Sequence, residues 1–324
     1  MIRVLYAGSP AASAKTLEIL IENAASNGFQ IAGVLSNPPS ARGRHKTPVP
    51  TEVQSVAEKY GIPVFTPEHL DSAAREAVAA VSPDILVCFA YGHIFGPKFM
   101  ELFKFGGINL HPSALPKYRG CTPVNAAILN GDSETAFTVQ KVSRAMDEGN
   151  IMASEKVVLT GKETAESLLN DAAVRGAALL AEVLKAVADK GAIADGTPQS
   201  GEASYTGMIL KEHAKINWAE SAGKVDCAVR AYYPEPNAWT QENGAPLKIM
   251  AGIPLSDQEG TECGGDVNAA AGVVSAFSKQ KGILVRCGTG FYAVTKLQRQ
   301  GKNAMDYKSF MNGAKDFIGS RFSF

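Results

Sequence analysis

The run Ile85-Leu86-Val87-Cys88-Phe89-Ala90 constrains the fold of this chain more than any other stretch, because it is apolar on both faces. A strand without a polar face predicts the centre of a parallel sheet, where helices cover both sides. The preceding chain alternates, with predicted strands at 2–7, 29–35 and 62–65 and predicted helices at 11–25, 51–60 and 70–81. Such alternation indicates a doubly wound, mostly parallel α/β sheet of the Rossmann-like kind.

The last third of the chain has a different pattern. A helix predicted at 165–190 carries apolar residues along one face, and 191–204 is rich in Gly, Ala, Ser and Pro. Short strands broken by Gly and Pro follow, at 246–251, 272–278, 282–287 and 291–297. They are typical of a small β-barrel, OB-like in kind. Because 324 residues are enough for two domains, we expect an α/β domain at 1–190, a linker at 191–204 and a barrel domain at 205–324.

Composition bears on the cellular compartment in which the protein is expected to work. Five scattered cysteines, without metal-binding or redox spacing, indicate free thiols in a reducing compartment. Met1 to Arg3 lead directly into a predicted strand, so we expect no signal peptide, and no apolar run reaches the roughly 20 residues of a membrane span. The chain is therefore expected to be cytoplasmic. Lys and Arg together equal Asp and Glu, at 32 each, so the overall balance does not point to a polyanionic partner.

Asn109 and His111 are the first candidate catalytic residues. They lie two positions apart at the end of an apolar run, just before Pro112, Pro116 and Gly120 impose a loop. Alternation along a strand puts their side chains on one face, at the carboxyl end where α/β sheets bind ligands. An amide donor beside an imidazole suits chemistry at a carbonyl, because one stabilises an oxyanion and the other moves protons. Spacing alone leaves a second interpretation open, in which both residues bond only to nearby backbone.

A longer pattern surrounds these two residues. The sequence reads Asn-x-His-Pro-Ser-x-Leu-Pro-x-x-Arg-Gly over 109–120, Met-Asp-Glu-Gly over 146–149 and Tyr-Ala-Gly-Ser-Pro over 6–10. It resembles the folate-dependent formyltransferases along nearly the whole chain.

The turn after the first strand has one glycine where a dinucleotide-binding fingerprint needs three, so it gives little support to a nucleotide site.

The resemblance implies a catalytic triad of Asn109, His111 and Asp147. It implies that Asn109 donates to an oxyanion and that protonated His111 stabilises the same charge and helps to protonate the leaving group. It implies that Asp147 orients His111 and takes part in the proton transfer from the amine. The family pattern Asp-x-Gly-x-Ile selects Asp147 rather than its neighbour Glu148. The implied donor is 10-formyltetrahydrofolate, with no metal.

The resemblance further implies that Ser113, Ala114, Leu115 and Pro116 contact the folate, although Ala114 stands where the family usually has Leu. A turn at 91–97 resembles one that lines the folate pocket, and we expect its His93 to be a pocket-wall or exposed residue. Cys121 follows the motif, but no base is near it in sequence, so we expect a structural role.

Two basic segments indicate the acceptor. The loop 36–50 holds Arg42, Arg44 and Lys46 without an acid, and its four prolines and a glycine predict no regular structure. From residue 271 onward nine basic residues stand against two acidic ones. In the branch of the family that formylates initiator methionyl-tRNA, an arginine in an Arg-Gly context enters the acceptor stem, and Arg42 matches it. The implied partners are initiator methionyl-tRNA and folate, with neither a membrane nor an obligate protein partner.

Three other functions remain open on the sequence. Sugar-nucleotide N-formyltransferases share the Asn-x-His and Asp constellation, and Arg42 and the basic end of the chain favour tRNA over a nucleotide sugar. Formyltetrahydrofolate hydrolases use the same site but normally carry a regulatory domain before it, whereas here the first strand begins at Ile2. A non-catalytic RNA-binding module is the third alternative, and an intact triad argues against it.

Overall fold

The computed structural model describes residues 1–42 and 47–323. Its strands are β1 Ile2–Ala7, β2 Phe29–Leu35, β3 Ser40–Arg42, β4 Thr47–Val49, β5 Val64–Phe65, β6 Ile85–Cys88, β7 Gly107–His111, β8 Arg119–Gly120, β9 Glu134–Lys141, β10 Ile151–Val158, β11 Tyr205–Thr206, β12 Ala238–Glu242, β13 Ala245–Leu255, β14 Val274–Ser278, β15 Gly282–Arg286, β16 Phe291–Arg299 and β17 Met305–Asp306. Its α-helices are α1 Ala11–Asn23, α2 Glu52–Lys59, α3 Ser72–Ala79, α4 Pro97–Met100, α5 Pro123–Asn130, α6 Ala165–Lys190, α7 Ala222–Ala231, α8 Asp257–Glu262 and α9 Tyr307–Asn312. Two compact units divide the chain.

The first unit comprises Met1–Pro123, Glu134–Val158 and Leu168–Gly207. Its seven-stranded sheet has the order β10-β9-β7-β6-β1-β2-β5, in which β7, β6, β1, β2 and β5 are parallel. The fully buried β6 lies between β1 and β7, so the prediction of a central parallel strand is confirmed. The mostly parallel α/β fold is confirmed with it.

The sheet changes direction beyond β7. Strand β9 is antiparallel to β7, and β10 is antiparallel to β9. Cys88 at the end of β6 pairs with Asn109, and Asn109 pairs on its other side with Gln140 of β9. The end of β7 therefore brings together the side chains of three neighbouring strands.

The prediction of no regular structure across 36–50 was wrong. Strands β3 and β4 form a two-stranded antiparallel ribbon, in which Ala41 pairs with Pro48 and Arg42 with Thr47. Proline is compatible with a strand at an edge, because an edge strand can do without one backbone donor. The side chain of Arg42 and the whole of residues 43–46, including Arg44 and Lys46, lie outside the described part of the chain.

The second unit comprises Val124–Ser133, Leu159–Ser167 and Met208–Phe324. Its strands form an antiparallel sheet in the order β12-β13-β16-β15-β14, with β17 paired to β16, which confirms the prediction of a smaller β domain. Trp218 is fully buried in its core, where the indole nitrogen donates to Thr240 Oγ1 at 3.0 Å and the ring packs against Phe322. Throughout 1–42 and 47–323, no helix has both the length and the apolar character that crossing a bilayer requires.

Candidate active site

Strand β7 presents Asn109 and His111 on the same face, at the carboxyl edge of the parallel part of the sheet. The register places Gln140 of β9 directly opposite Asn109. Directly opposed residues project to the same side of a sheet, so Gln140 shares the face of the two candidate residues. The strand geometry alone therefore gathers two amides and one imidazole at this edge.

Asp147 reaches the same place from the loop after β9. Its Oδ2 lies 3.5 Å from His111 Nδ1, and its Oδ1 lies 3.5 Å from Asn109 Nδ2. Two shorter bonds hold the carboxylate, because Gln140 Nε2 donates to Oδ1 at 2.6 Å and the Gly120 backbone N–H donates to Oδ2 at 2.8 Å. Each carboxylate oxygen thus accepts one short hydrogen bond, from Gln140 or Gly120, and has one longer contact, to Asn109 or His111.

The neighbouring acid does not share this position. Glu148 turns away, and its Oε1 accepts from Arg119 Nη1 at 2.9 Å and from the Tyr205 hydroxyl at 2.9 Å. Asp147 itself has a φ of +55°, in the left-handed region. Aspartate tolerates that region better than most residues do, and the conformation turns successive side chains in different directions.

His111 is buried, and its hydrogen bonds define its tautomer. Nε2 lies 2.9 Å from the carbonyl oxygen of Tyr118, and only a protonated nitrogen can bond to a carbonyl. In the neutral ring, Nδ1 therefore carries the lone pair toward Asp147. Burial lowers the pKa of His111 below its ordinary value of 6.5, and the attraction of Asp147 and the Tyr118 carbonyl oppose that shift without reversing it. The lowered pKa favours a neutral imidazole in the resting site, so in this arrangement the protonated form expected during transfer would arise as the ring takes up a proton.

The four residues expected to contact folate differ in their surroundings. Ser113 is fully buried, its hydroxyl donates to the Lys117 carbonyl at 2.6 Å, and its own carbonyl accepts from Thr138 Oγ1 at 2.7 Å. The Ser113 hydroxyl is thus engaged within the protein. Leu115 and Pro116 are also buried, and Ala114 is the exposed member of the four.

A second exposed surface lies on the turn after β6. Ile94 is 77% exposed, and His93 is exposed with its ring centroid 5.0 Å from that of the buried Tyr91. Because Cys88 at the end of β6 pairs with Asn109, this turn leaves the sheet beside the triad. An apolar side chain left in water beside such a site offers a surface for a flat apolar ring.

Two glutamines of the site were missed by sequence reasoning. Gln140 could have been found, since a long polar side chain near the end of the strand that leads into the Asp147 loop is a usable signal. Gln199 had no such signal, because it lies in 191–204, which composition predicts as a linker. The structure includes this segment in the first unit, where Gln199 Nε2 donates to the carbonyls of Asp147 at 2.7 Å and Gly149 at 2.8 Å.

The same segment supports the loop that follows β7. Ser204 Oγ accepts from the Tyr118 N–H at 2.9 Å, and the Ser204 carbonyl accepts from the Arg119 N–H at 2.8 Å. Strand β11 then pairs in parallel with β8. The exposed Cys121 follows this pairing, and its sulfur lies 4.0 Å from the Thr206 carbonyl. Among the residues that the structure describes, no group of three His, Cys, Asp or Glu side chains is placed to hold a metal ion.

Comparison with known proteins identifies the class to which this fold and site belong. Residues 2–184 match the family model "Formyl transferase", and residues 208–315 match "Formyl transferase, C-terminal domain". The chain belongs to the formyl transferase family.

Individual relatives agree with this family assignment. A methionyl-tRNA formyltransferase of Treponema denticola is 36% identical over 332 residues, which cover 99% of each chain. The solved methionyl-tRNA formyltransferase of Clostridium thermocellum shares the fold, with a TM-score of 0.56 and 16% identity over 78% of this chain and 93% of that one. An N-formyltransferase of Helicobacter canadensis, solved with folinic acid and dTDP-3-aminofucose, has a TM-score of 0.63 and 20% identity over 92% of this chain and 100% of that one.

Proposed function

We propose that this chain transfers the formyl group of 10-formyltetrahydrofolate to the α-amine of methionine on initiator tRNA, giving N-formylmethionyl-tRNA for translation initiation in the cytoplasm. The observation that carries the proposal is the convergence of Asn109, His111 and Asp147 within 3.5 Å contacts at the end of β7. The full-length relative from Treponema denticola, 36% identical, supports the acceptor.

The donor supplies an electrophilic formyl carbon, and the chain supplies charge stabilisation and proton transfer around it. Within the described part of the chain, the hydrogen bond of Asn109 Nδ2 is a long contact of 3.5 Å to Asp147, so its N–H groups can turn to the formyl oxygen as that oxygen gains negative charge. Gln140 keeps the Asp147 carboxylate in place with the shorter bond of 2.6 Å, which leaves Asn109 available for the substrate.

His111 and Asp147 act as a pair in proton transfer. The lone pair of neutral His111 Nδ1 takes a proton from the attacking amine, and the carboxylate 3.5 Å away stabilises the imidazolium that results. The same proton then passes to the leaving nitrogen of the donor. The Tyr118 carbonyl holds Nε2 throughout, so the ring keeps its orientation while Nδ1 gains and loses the proton.

The surfaces beside the triad fit the donor. We assign the exposed Ile94, at 77% exposure, as an apolar wall for the pterin ring, and the exposed Ala114 with the adjoining backbone of 113–116 as a further contact of the donor. The buried Ser113, Leu115 and Pro116 hold the shape of this loop. For the acceptor, we assign the tRNA backbone to Arg42 and to the basic residues of the second unit, so that 1–190 is catalytic and 205–324 binds tRNA.

Transfer of labelled formyl from 10-formyltetrahydrofolate tests the proposal. Purified protein is offered initiator methionyl-tRNA and a nucleotide amino sugar in parallel, as wild type, as Asn109→Ala and as Asn23→Ala, a control at an exposed asparagine at the end of α1. We expect transfer to the tRNA, slowed by about 10²- to 10³-fold in Asn109→Ala because one oxyanion donor is lost. The Asn23→Ala control should match the wild type.

The two assignments can fail separately. Transfer to the sugar alone would replace the acceptor but keep the site. Normal turnover by a folded Asn109→Ala variant would instead remove Asn109 from the catalytic group, whichever acceptor is used.

A further inference from the structure

Gln199 has every polar atom of its side-chain amide engaged. Its two N–H groups donate to the carbonyls of Asp147 at 2.7 Å and of Gly149 at 2.8 Å, and Gln140 Oε1 lies farther away at 3.3 Å. Its Oε1 accepts from Arg119 Nη2 at 2.8 Å and Nε at 3.2 Å. The opposite orientation of the amide would place its NH₂ against a guanidinium and its oxygen against two carbonyls, so these contacts define a single orientation.

The turn that Gln199 holds is conformationally costly. Asp147 adopts a φ of +55°, and a side chain at Gly149 would overlap the carbonyl oxygen of Lys141. A residue in the left-handed region persists only where its surroundings impose that conformation. Gln199 binds the carbonyls on both sides of Glu148, so it fixes the peptide group that follows Asp147 and the one that follows Gly149, and with them the turn from which the Asp147 side chain projects.

Arg119 fixes Gln199 in turn. Its Nη1 donates to Glu148 Oε1 at 2.9 Å and to the Tyr205 hydroxyl at 2.8 Å, while its other nitrogens hold Gln199. The guanidinium is therefore anchored to the same turn that Gln199 binds. Residues far apart in sequence thereby form a closed set of bonds around Asp147.

We propose that Gln199 is a positioning residue for catalysis, which holds the Asp147–Gly149 turn so that the Asp147 carboxylate faces His111 and Asn109. This role rests on the proposed function, because it assigns Asp147 to the formyl transfer. Gln199 acts through Asp147 and has no polar atom left for a substrate. Its loss should therefore lower kcat and leave the KM of donor and acceptor nearly unchanged.

Gln199→Glu is the sharpest variant, because it keeps the size of the side chain and the bond to Arg119. A carboxylate cannot donate to the Asp147 and Gly149 carbonyls, so the hold on the turn is lost and a negative charge is placed against the two carbonyl oxygens. We expect kcat to fall by about 10- to 100-fold, the effect of a misplacement of about 1 Å in the catalytic group. Gln199→Met, which removes the polar atoms without adding charge, should give a similar loss. Gln258→Glu makes the same chemical change at an exposed glutamine of α8 and should keep full activity.

Each kcat is normalised to the folded fraction measured by circular dichroism, and KM is measured for both substrates. A folded Gln199→Glu or Gln199→Met variant with kcat within about twofold of wild type would overturn the positioning role. A loss confined to thermal stability, with kcat of the folded protein intact, would overturn it as well. Absence of transfer to methionyl-tRNA by the wild type would overturn the proposed function first and this role with it.

Discussion

At the scale of single residues, the chemistry depends on how His111 is kept neutral. Burial disfavours the charged ring, whereas the Asp147 carboxylate 3.5 Å from Nδ1 and the Tyr118 carbonyl 2.9 Å from Nε2 favour it. Burial is the larger effect, so the pKa lies below 6.5. A ring that is neutral at rest, with a carboxylate beside its lone pair, is prepared to take up a proton as the amine attacks.

The direction of this pKa shift determines the pH dependence of the reaction. If neutral His111 accepts the proton, its contribution to activity is lost only when the pH drops below a pKa that is itself under 6.5. The attacking α-amine must also be neutral, and its ordinary pKa is about 7.7–8.0, so kcat/KM should begin to fall below about pH 8 and fall more steeply below pH 6.5. NMR titration of labelled histidines, with the His111 signal assigned by its absence in His111→Asn, should give a pKa under 6.5. A His111 pKa above 7 would contradict the neutral resting state.

The three residues of the proposed triad could be predicted from sequence, whereas the support that Gln199 gives to Asp147 could not. Asn109 and His111 are related by the two-residue period of a strand, and a turn motif places Asp147 near them. Gln199 is related to Asp147 only through tertiary structure, in a segment whose composition resembles a linker. The direction of the His111 pKa shift could not be predicted from the sequence either, because it depends on burial of the side chain, which local sequence patterns do not reveal.

At the scale of elements, the short pairing of β8 with β11 supports the site. Gly120 has a φ of +102°, its N–H donates to Asp147 Oδ2 at 2.8 Å, and a Cβ on it would overlap the Thr206 carbonyl oxygen. This glycine therefore meets two requirements at once, a left-handed backbone and a close approach of β11.

Gly120→Ala should separate these requirements when it is compared with Gly61→Ala. Gly61 has a φ of +65°, and no atom lies within 4 Å of the position that a Cβ would take, so its change imposes only backbone strain of about 1–2 kcal/mol. Gly120→Ala adds overpacking of about 1–3 kcal/mol and pushes β11 away. We expect a larger loss in urea unfolding and a lower kcat for Gly120→Ala alone. Equal losses of unfolding free energy in Gly120→Ala and Gly61→Ala would show that separating β8 from β11 costs no measurable stability.

Element prediction succeeded where periodicity was strong. Strands β1 and β2 and helix α6 begin and end where the sequence predicts, because each has an unbroken apolar pattern. The ribbon of β3 and β4 was missed because prolines in a segment normally argue against regular structure. An edge strand tolerates proline, and the sequence does not show that these strands are at an edge. Strand β11 has two residues, too few for any period to be visible.

At the scale of the whole molecule, the formal net charge is zero, but the charged residues are unevenly distributed along the chain. The nine basic residues after position 271 face two acids in that segment, although the chain as a whole is balanced. The structure reduces the excess, because Arg299 Nε donates to Glu242 at 2.7 Å and Arg286 pairs with Asp257. The positive charge offered to a polyanion by the second unit is therefore smaller than its sequence suggests. The basic sequence segment 36–50, which contains the ribbon of β3 and β4, gains in importance.

Arg42, at the end of β3, is the residue on which a phosphate contact from this ribbon would depend. If Arg42 binds one tRNA phosphate, Arg42→Ala should raise the KM for methionyl-tRNA about tenfold, since a bond to a charged group contributes about 1.5 kcal/mol. The slope of log affinity against log salt should decrease by about one, while the KM for the folate donor stays constant. Arg75→Ala, on α3, removes an equal charge elsewhere and should leave the slope unchanged. If Arg42→Ala has the same KM for methionyl-tRNA and the same salt slope as the wild type, Arg42 does not bind the tRNA. Binding of the acceptor would then be assigned to the second unit alone.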